Sequence, residues 1–237
     1  MTVGMLICSF NDLELSKVMY PSLVKSMPSH IPYGIVVVDG GSTDGSLEFW
    51  KSKAPVIHPG DSDLLKQLNA EPGDLRHLSR SLNVGGKYLM DSGEYSHILH
   101  PHPDMEFPQE GWVETMVNYL KKEPKIAKLS ADWDHLRMGD REGNQCPWIM
   151  PVSVIKEMIE GDGYWFDPEF RGIGGSEDWD LNCRLINKGY RVTITSDAIV
   201  EHEGMGTRGQ KGRDTNQDAL YNRGYYVSKW GTHMSPV

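Results

Sequence analysis

Ile35-Val36-Val37-Val38-Asp39-Gly40-Gly41-Ser42-Thr43-Asp44-Gly45 is the stretch whose reading decides the fold. Four β-branched residues in a row predict a strand covered on both faces, the habit of parallel sheets. Asp39 then stands at the carboxyl end of that strand, where open α/β sheets bind ligands. Gly40 and Gly41 permit a sharp turn, and Ser42 or Thr43 can cap a following helix. A plain Asp-Gly turn between strand and helix has the same composition, so the surroundings decide.

Strand-like runs fall near 3–8, 34–38, 55–57, 96–100, 126–131, 146–150 and 191–195. Helix-like runs fall near 12–27, 43–53, 79–91, 109–122, 152–160, 176–188 and 214–227. The alternation in the first half is that of βαβ units on a mainly parallel sheet. The second half has longer loops, more Gly and more Trp, with Trp133, Trp148, Trp165 and Trp179 crowded together. No internal repeat or low-complexity segment interrupts the chain. Its 237 residues suit one large domain with an ample core.

A net charge of −9 and a pI near 5.4 argue against nucleic acid as a bulk partner. Cys8, Cys146 and Cys183 are odd in number and far apart, which points to buried free thiols in a reducing compartment. No apolar stretch approaches the ~20 residues of a membrane span, and no signal-peptide pattern opens the sequence. A cytoplasmic location is the expectation.

Two further stretches carry chemistry. Ser96-His97-Ile98-Leu99-His100-Pro101-His102-Pro103-Asp104 runs out of a strand into a polar turn. Its alternating histidines have no cysteine near them in sequence, which argues against structural zinc. Gly174-Gly175-Ser176-Glu177-Asp178-Trp179-Asp180-Leu181-Asn182-Cys183-Arg184-Leu185 reads as a Gly-rich approach to a three-turn helix. Ser176 is the expected N-cap and Gly189 the expected C-cap. Leu181 with Leu185, and Trp179 with Cys183 and Ile186, form its apolar side. Glu177 and Asp178 lie in the first turn, where acids favour the helix dipole and have lowered pKa values.

Taken together, Leu6-Ile7-Cys8-Ser9-Phe10-Asn11, Val37 to Ser46 and the Glu177 to Leu185 run resemble the family 2 glycosyltransferases. Gly40 stands where that family usually has a second Asp. The resemblance covers roughly residues 3–202. It implies a single-domain GT-A fold, a Rossmann-like three-layer α/β/α sandwich with a mixed, mainly parallel central sheet. Residues 1–104 would form the nucleotide-sugar half and 105–203 the acceptor half. Residues 204–237 would form a mobile loop and a C-terminal helix. The activity implied is metal-dependent, inverting transfer of a sugar from a nucleotide-sugar, UDP-sugar first among donors, to a hydroxyl acceptor.

The same resemblance assigns roles. Ser9, Phe10, Asn11, Asp39 and Gly41 would hold base and ribose, with Arg80 (or Arg76) on the nucleotide. His102-Pro103-Asp104 takes the place of the usual Asp-x-Asp. Asp104 would ligate Mn2+ or Mg2+, and His102 would either contact ribose or ligate the metal; an imidazole there favours Mn2+. His202 matches a metal-binding His by position. Arg208 and Lys211, with Arg213, would close over the diphosphate as a lid. Asp178 would be the general base, with Glu177 as the alternate. Trp148, Gly174, Gly175 and Trp179 would face the acceptor. Two rivals remain: a nucleotide-sugar-binding protein without catalysis, and a nucleotidyltransferase. The latter usually has a Gly-rich, basic loop after its first strand, which Cys8-Ser9-Phe10-Asn11-Asp12 lacks.

Overall fold

The computed structural model describes residues 1–133, 146–202 and 215–231. The first half runs β1 (Val3–Ser9), α1 (Leu13–Ser26), β2 (Tyr33–Asp39), α2 (Ser46–Lys51), β3 (Val56–Ile57), α3 (Ser62–Gln67), a 3-10 turn (Pro72–Arg76) and α4 (Leu78–Asp91). The second runs β4 (His97–His100), β5 (Met105–Glu106), α5 (Trp112–Lys122), β6 (Ile126–Trp133), β7 (Trp148–Pro151), α6 (Val152–Asp162), α7 (Glu177–Asn187), β8 (Arg191–His202) and α8 (Thr215–Trp230).

The strands form one mixed sheet in the order β3-β2-β1-β4-β7-β6-β8-β5. β1 pairs in parallel with β2 and β4, β2 with β3, and β6 with β8. β7 is antiparallel to both β4 and β6, and β5 is antiparallel to β8. This is a single α/β domain with a mainly parallel sheet. Val3, Met5, Leu6 and Ile7 of β1 and Val36, Val37 and Val38 of β2 are all buried, as two covered faces require.

Several boundaries differ from the expected ones. β8 continues to His202 instead of stopping at 195, and α8 runs to Trp230, so Tyr225 to Trp230 belong to the helix itself. The helix expected over 43–53 shortens to Ser46–Lys51 because Asp44 accepts the Ser46 N–H and hydroxyl, holding residues 42–45 as a turn. The sequence reading missed α3, the 3-10 turn and β5, all of six residues or fewer, too short to show a period.

The topology decides where chemistry gathers. β1, β2 and β4 all end at the same edge of the sheet, at Ser9, Asp39 and His100. β7 runs the other way, so its start at Trp148 lies beside His100. α7 feeds β8, so the helix begins, at Glu177, on that same edge. The switch between β2 and β4 on either side of β1 is the crevice where such sheets take ligands.

Candidate active site at the carboxyl edge of the sheet

The loops after β1 and β2 are laced together. The Ser9 hydroxyl donates to Asp12 Oδ1 at 2.7 Å and the Phe10 N–H to Asp12 Oδ2 at 2.9 Å. Asn11, in the left-handed region at φ 46, donates its N–H to Ser42 Oγ at 2.8 Å and accepts the Thr43 N–H at 2.7 Å. Asp39 is fully buried. Its carboxylate accepts the Gly41 and Ser42 N–H groups at 2.9 and 2.8 Å and the Ser42 hydroxyl at 2.6 Å. Its first task is therefore to build the turn. A Cβ on Gly40 would lie 2.9 Å from the Leu75 carbonyl oxygen and 3.2 Å from the Phe10 ring. That close approach is a packing reason for the missing second Asp. Arg80 donates to the Pro168 carbonyl at 2.9 Å and pairs with Asp74 at 3.2 Å, tying α4 to the segment before α7.

Beyond β4 the chain turns through His102 and Asp104 into β5. The antiparallel β5–β8 ladder sets Met105 opposite His202. This register brings Asp104 Oδ1 to 3.1 Å from His202 Nε2, across 98 residues of chain. One donor atom from each of His102, Asp104 and His202 lies within 4.8 Å of the others. Burial raises the Asp104 carboxyl; the His202 hydrogen bond and the electrostatic influence of His102 and His202 outweigh it and lower the pKa to about 2. A carboxylate and two imidazoles this close fit a divalent first-row cation such as Mn2+.

At the start of α7, Gly174, Gly175 and Ser176 all have positive φ, at 102, 125 and 70. Ser176 is the N-cap the sequence suggests, its carbonyl accepting the Asp180 N–H at 3.0 Å, but its hydroxyl makes no capping bond. The Glu177 carboxylate reaches back to accept the Gly175 N–H instead. A non-glycine residue held in the left-handed region costs about 1–2 kcal/mol, and such strain gathers at functional sites. Asp178 accepts its neighbour Trp179's N–H at 2.9 Å.

The lowered pKa expected for Asp178 from the helix dipole is wrong in sign. Burial, followed by the Glu177 carboxylate beside it, pushes Asp178 up to about 7, with the Lys128 ammonium opposing. Lys128 itself is fully enclosed in β6 and donates to Asn182 Oδ1 at 3.1 Å. Burial lowers its pKa, while the charges of Asp178, Cys146 and Glu177 act to raise it.

Nothing local in the sequence marks Lys128 or Cys146, which come from different segments and sit in no recognisable motif, and Asn182 occupies an unassigned position of the Glu177 to Leu185 run. The aromatic candidates are packed. Trp148 is 2 % exposed, with ring centroids 5.1 Å from His100 and 5.5 Å from Trp165, and offers no open face. Trp179 stands edge-on to Tyr226 at 5.5 Å, in a small cluster with Phe170 and Cys183. Ile186, expected on the apolar side of α7, is exposed. Arg208, Lys211 and Arg213 lie outside the described residues.

This architecture is the GT-A fold. A mannosyltransferase from Pyrobaculum calidifontis, solved with GDP-Man and Mn2+, superposes with a TM-score of 0.62 at 16% identity over 87% of this chain. The chain spans 58% of that enzyme's length. Glucosyl-3-phosphoglycerate synthase from Mycobacterium tuberculosis, solved with Mn2+, UDP and glucosyl-3-phosphoglycerate, gives 0.63 at 13% identity, covering 97% of this chain and 80% of its own. S. aureus TarS 1-349 in complex with UDP-GlcNAc gives 0.61 at 14% identity, covering 97% and 66%. No family model and no curated protein sequence matches the chain. Among the described residues, no helix is long and apolar enough to cross a membrane.

Proposed function

We propose that this chain is an inverting glycosyltransferase of the family 2 type, moving a sugar from a nucleotide-sugar to a hydroxyl acceptor. The observation that carries the reading is the convergence of Asp104 and His202, at 3.1 Å, on a GT-A sheet. Asp104, His202 and His102 would hold a divalent cation, which when bound neutralises charge on the diphosphate leaving group.

The chain's own groups account for the remaining roles. The Ser9–Asn11 loop and the Asp39 turn shape the pocket for base and ribose. Asp178, ionised, accepts the proton of the attacking hydroxyl as the bond to the anomeric carbon forms. A base poised near neutrality suits that task. Lys128 keeps the ionised form of Asp178 accessible despite its burial. Glu177 holds Gly175 and with it the bend that aims Asp178.

UDP-sugar is the donor class put first, since two of the similar structures were solved with UDP or UDP-GlcNAc and one with GDP-Man. The test is a melting series with UDP, GDP, dTDP and CDP, each with Mn2+, Mg2+ or EDTA. A ligand that binds only the folded state raises stability by about 2.7 kcal/mol at a hundred times its Kd. Metal-dependent stabilisation by UDP supports the reading. Stabilisation by none of the four overturns it, and stabilisation without turnover on any acceptor favours a binding protein.

A further inference from the structure

The fold brings a cysteine to the histidines that the sequence left without one. One ring nitrogen from each of His100 and His102 and the Sγ of Cys146 lie within 4.8 Å of one another. His100 and Cys146 are both buried, at 1 % and 7 % exposure. His100 Nδ1 is 2.7 Å from the Leu6 carbonyl oxygen, which can only accept, so Nδ1 carries the proton and donates it. Nε2 is then left with its lone pair, and it is enclosed with no hydrogen-bond partner among the described residues. An imidazole that donates one N–H to a backbone carbonyl and presents the other nitrogen bare is the arrangement that orients a metal ligand.

We propose that His100, His102 and Cys146 form a second metal site, selective for a thiophilic ion of the Zn2+ class. Two imidazoles and a thiolate suit Zn2+ or Co2+ and provide no oxygen donor for Mg2+. Donor atoms around a tetrahedral Zn2+ stand about 3.5 Å apart, given bonds of roughly 2.0–2.3 Å. With all three donor atoms already within 4.8 Å of one another, reaching that spacing is a side-chain adjustment, not a change of fold. Three protein ligands leave the fourth position for water or an anion. On binding, the Cys146 S–H bond breaks, its proton leaves to solvent and the sulfur–metal bond forms, with no change of oxidation state.

His102 belongs to this group and to the Asp104–His202 group, so the two sites lie side by side. The His102 and His202 ring centroids are 5.9 Å apart and those of His100 and His102 are 4.9 Å apart. Nothing in the proposal requires a nucleotide-sugar, and its test can succeed or fail independently of the transferase reading.

The test is to strip the full chain with a chelator and titrate it with Co2+, a coloured stand-in for Zn2+, following absorption. The expected result is a cobalt–thiolate charge-transfer band that saturates at one ion per chain and is bleached by Zn2+. Cys146→Ser should abolish the band, and His100→Gln should weaken Co2+ binding at least tenfold. Asp104→Asn should keep the band, because Asp104 serves only the neighbouring site. No thiolate band in the wild-type chain would overturn the proposal even if no variant folds. So would a band that persists in Cys146→Ser, which would belong to Cys8 or Cys183, or one lost in Asp104→Asn.

Discussion

At Asp178 two physical effects oppose each other. The start of a helix favours an ionised carboxylate, while burial beside Glu177 disfavours it, and burial prevails. Two outcomes follow. In Asp178→Asn, turnover should fall by about 10²–10⁴, the usual worth of a positioned base, with donor affinity unchanged; single-turnover kinetics alongside calorimetric binding would measure this. In the wild type, kcat/KM should rise with pH and level off above about 7, since the base must be ionised. The same shift has a stability sign. A carboxyl whose folded pKa exceeds its unfolded value of 3.8 holds its proton longer in the folded state. The Asp178 contribution to stability should therefore decline as pH rises from about 4 to about 7, against the opposite contribution of the buried His97 and His100, and Asp178→Asn should make stability climb more steeply with pH in melts across the range. A pH-independent kcat/KM would remove Asp178 from the role. At Gly40, restoring an Asp should cost about 1–3 kcal/mol in urea unfolding, because its Cβ meets the Leu75 backbone. An unchanged midpoint would mean that the backbone there yields.

At the scale of elements, the acidic run that opens α7 divides its labour. Glu177 and Asp178 accept the backbone N–H groups of Gly175 and Trp179, while Asp180 is scaffolding. Asp180 is wholly buried, bonds Arg184 at 2.8 Å and Lys229 at 2.7 Å, and accepts the Trp230 indole N–H at 2.9 Å. Arg184 continues to Asp162 at 3.1 Å and to the Trp165 carbonyl at 2.7 Å. Lys229 also bonds Asp167 at 2.8 Å. This network pins α8 across α7 and the preceding loop. Removing one member leaves buried charges uncompensated, so Asp180→Asn should destabilise by about 3–5 kcal/mol and expose α8 to limited proteolysis. A loss below about 1 kcal/mol would mean that α8 is held by its apolar contacts alone. The sequence showed the helix, its acids and its arginine, because a 3.6-residue pattern survives in a linear string. It could not show that Asp180 also holds Lys229 and Trp230, since Trp230 lies 50 residues further along, on α8.

Across the whole molecule, the parallel half was legible because β1 and β2 are covered on both faces and say so in unbroken apolar runs. Met105 and Glu106 were not, since two residues carry no period; yet that short ladder is what carries Asp104 to His202. The pairing of those two was expected only by position in a family pattern, and a register across 98 residues is the physical reason for it. Lys128 and Cys146 were invisible for the same cause: they enter the site through strand order, which no local signal encodes.

The account stands or falls on Asp104 and its partners holding a metal against a nucleotide diphosphate. The direct measurement is calorimetric titration of UDP into wild type and Asp104→Asn, each with Mn2+ and with EDTA. The account predicts binding in the wild type that needs Mn2+ and weakens at least tenfold in Asp104→Asn, about 1.4 kcal/mol or more. UDP binding that is the same with and without metal, or the same in both proteins, would contradict it.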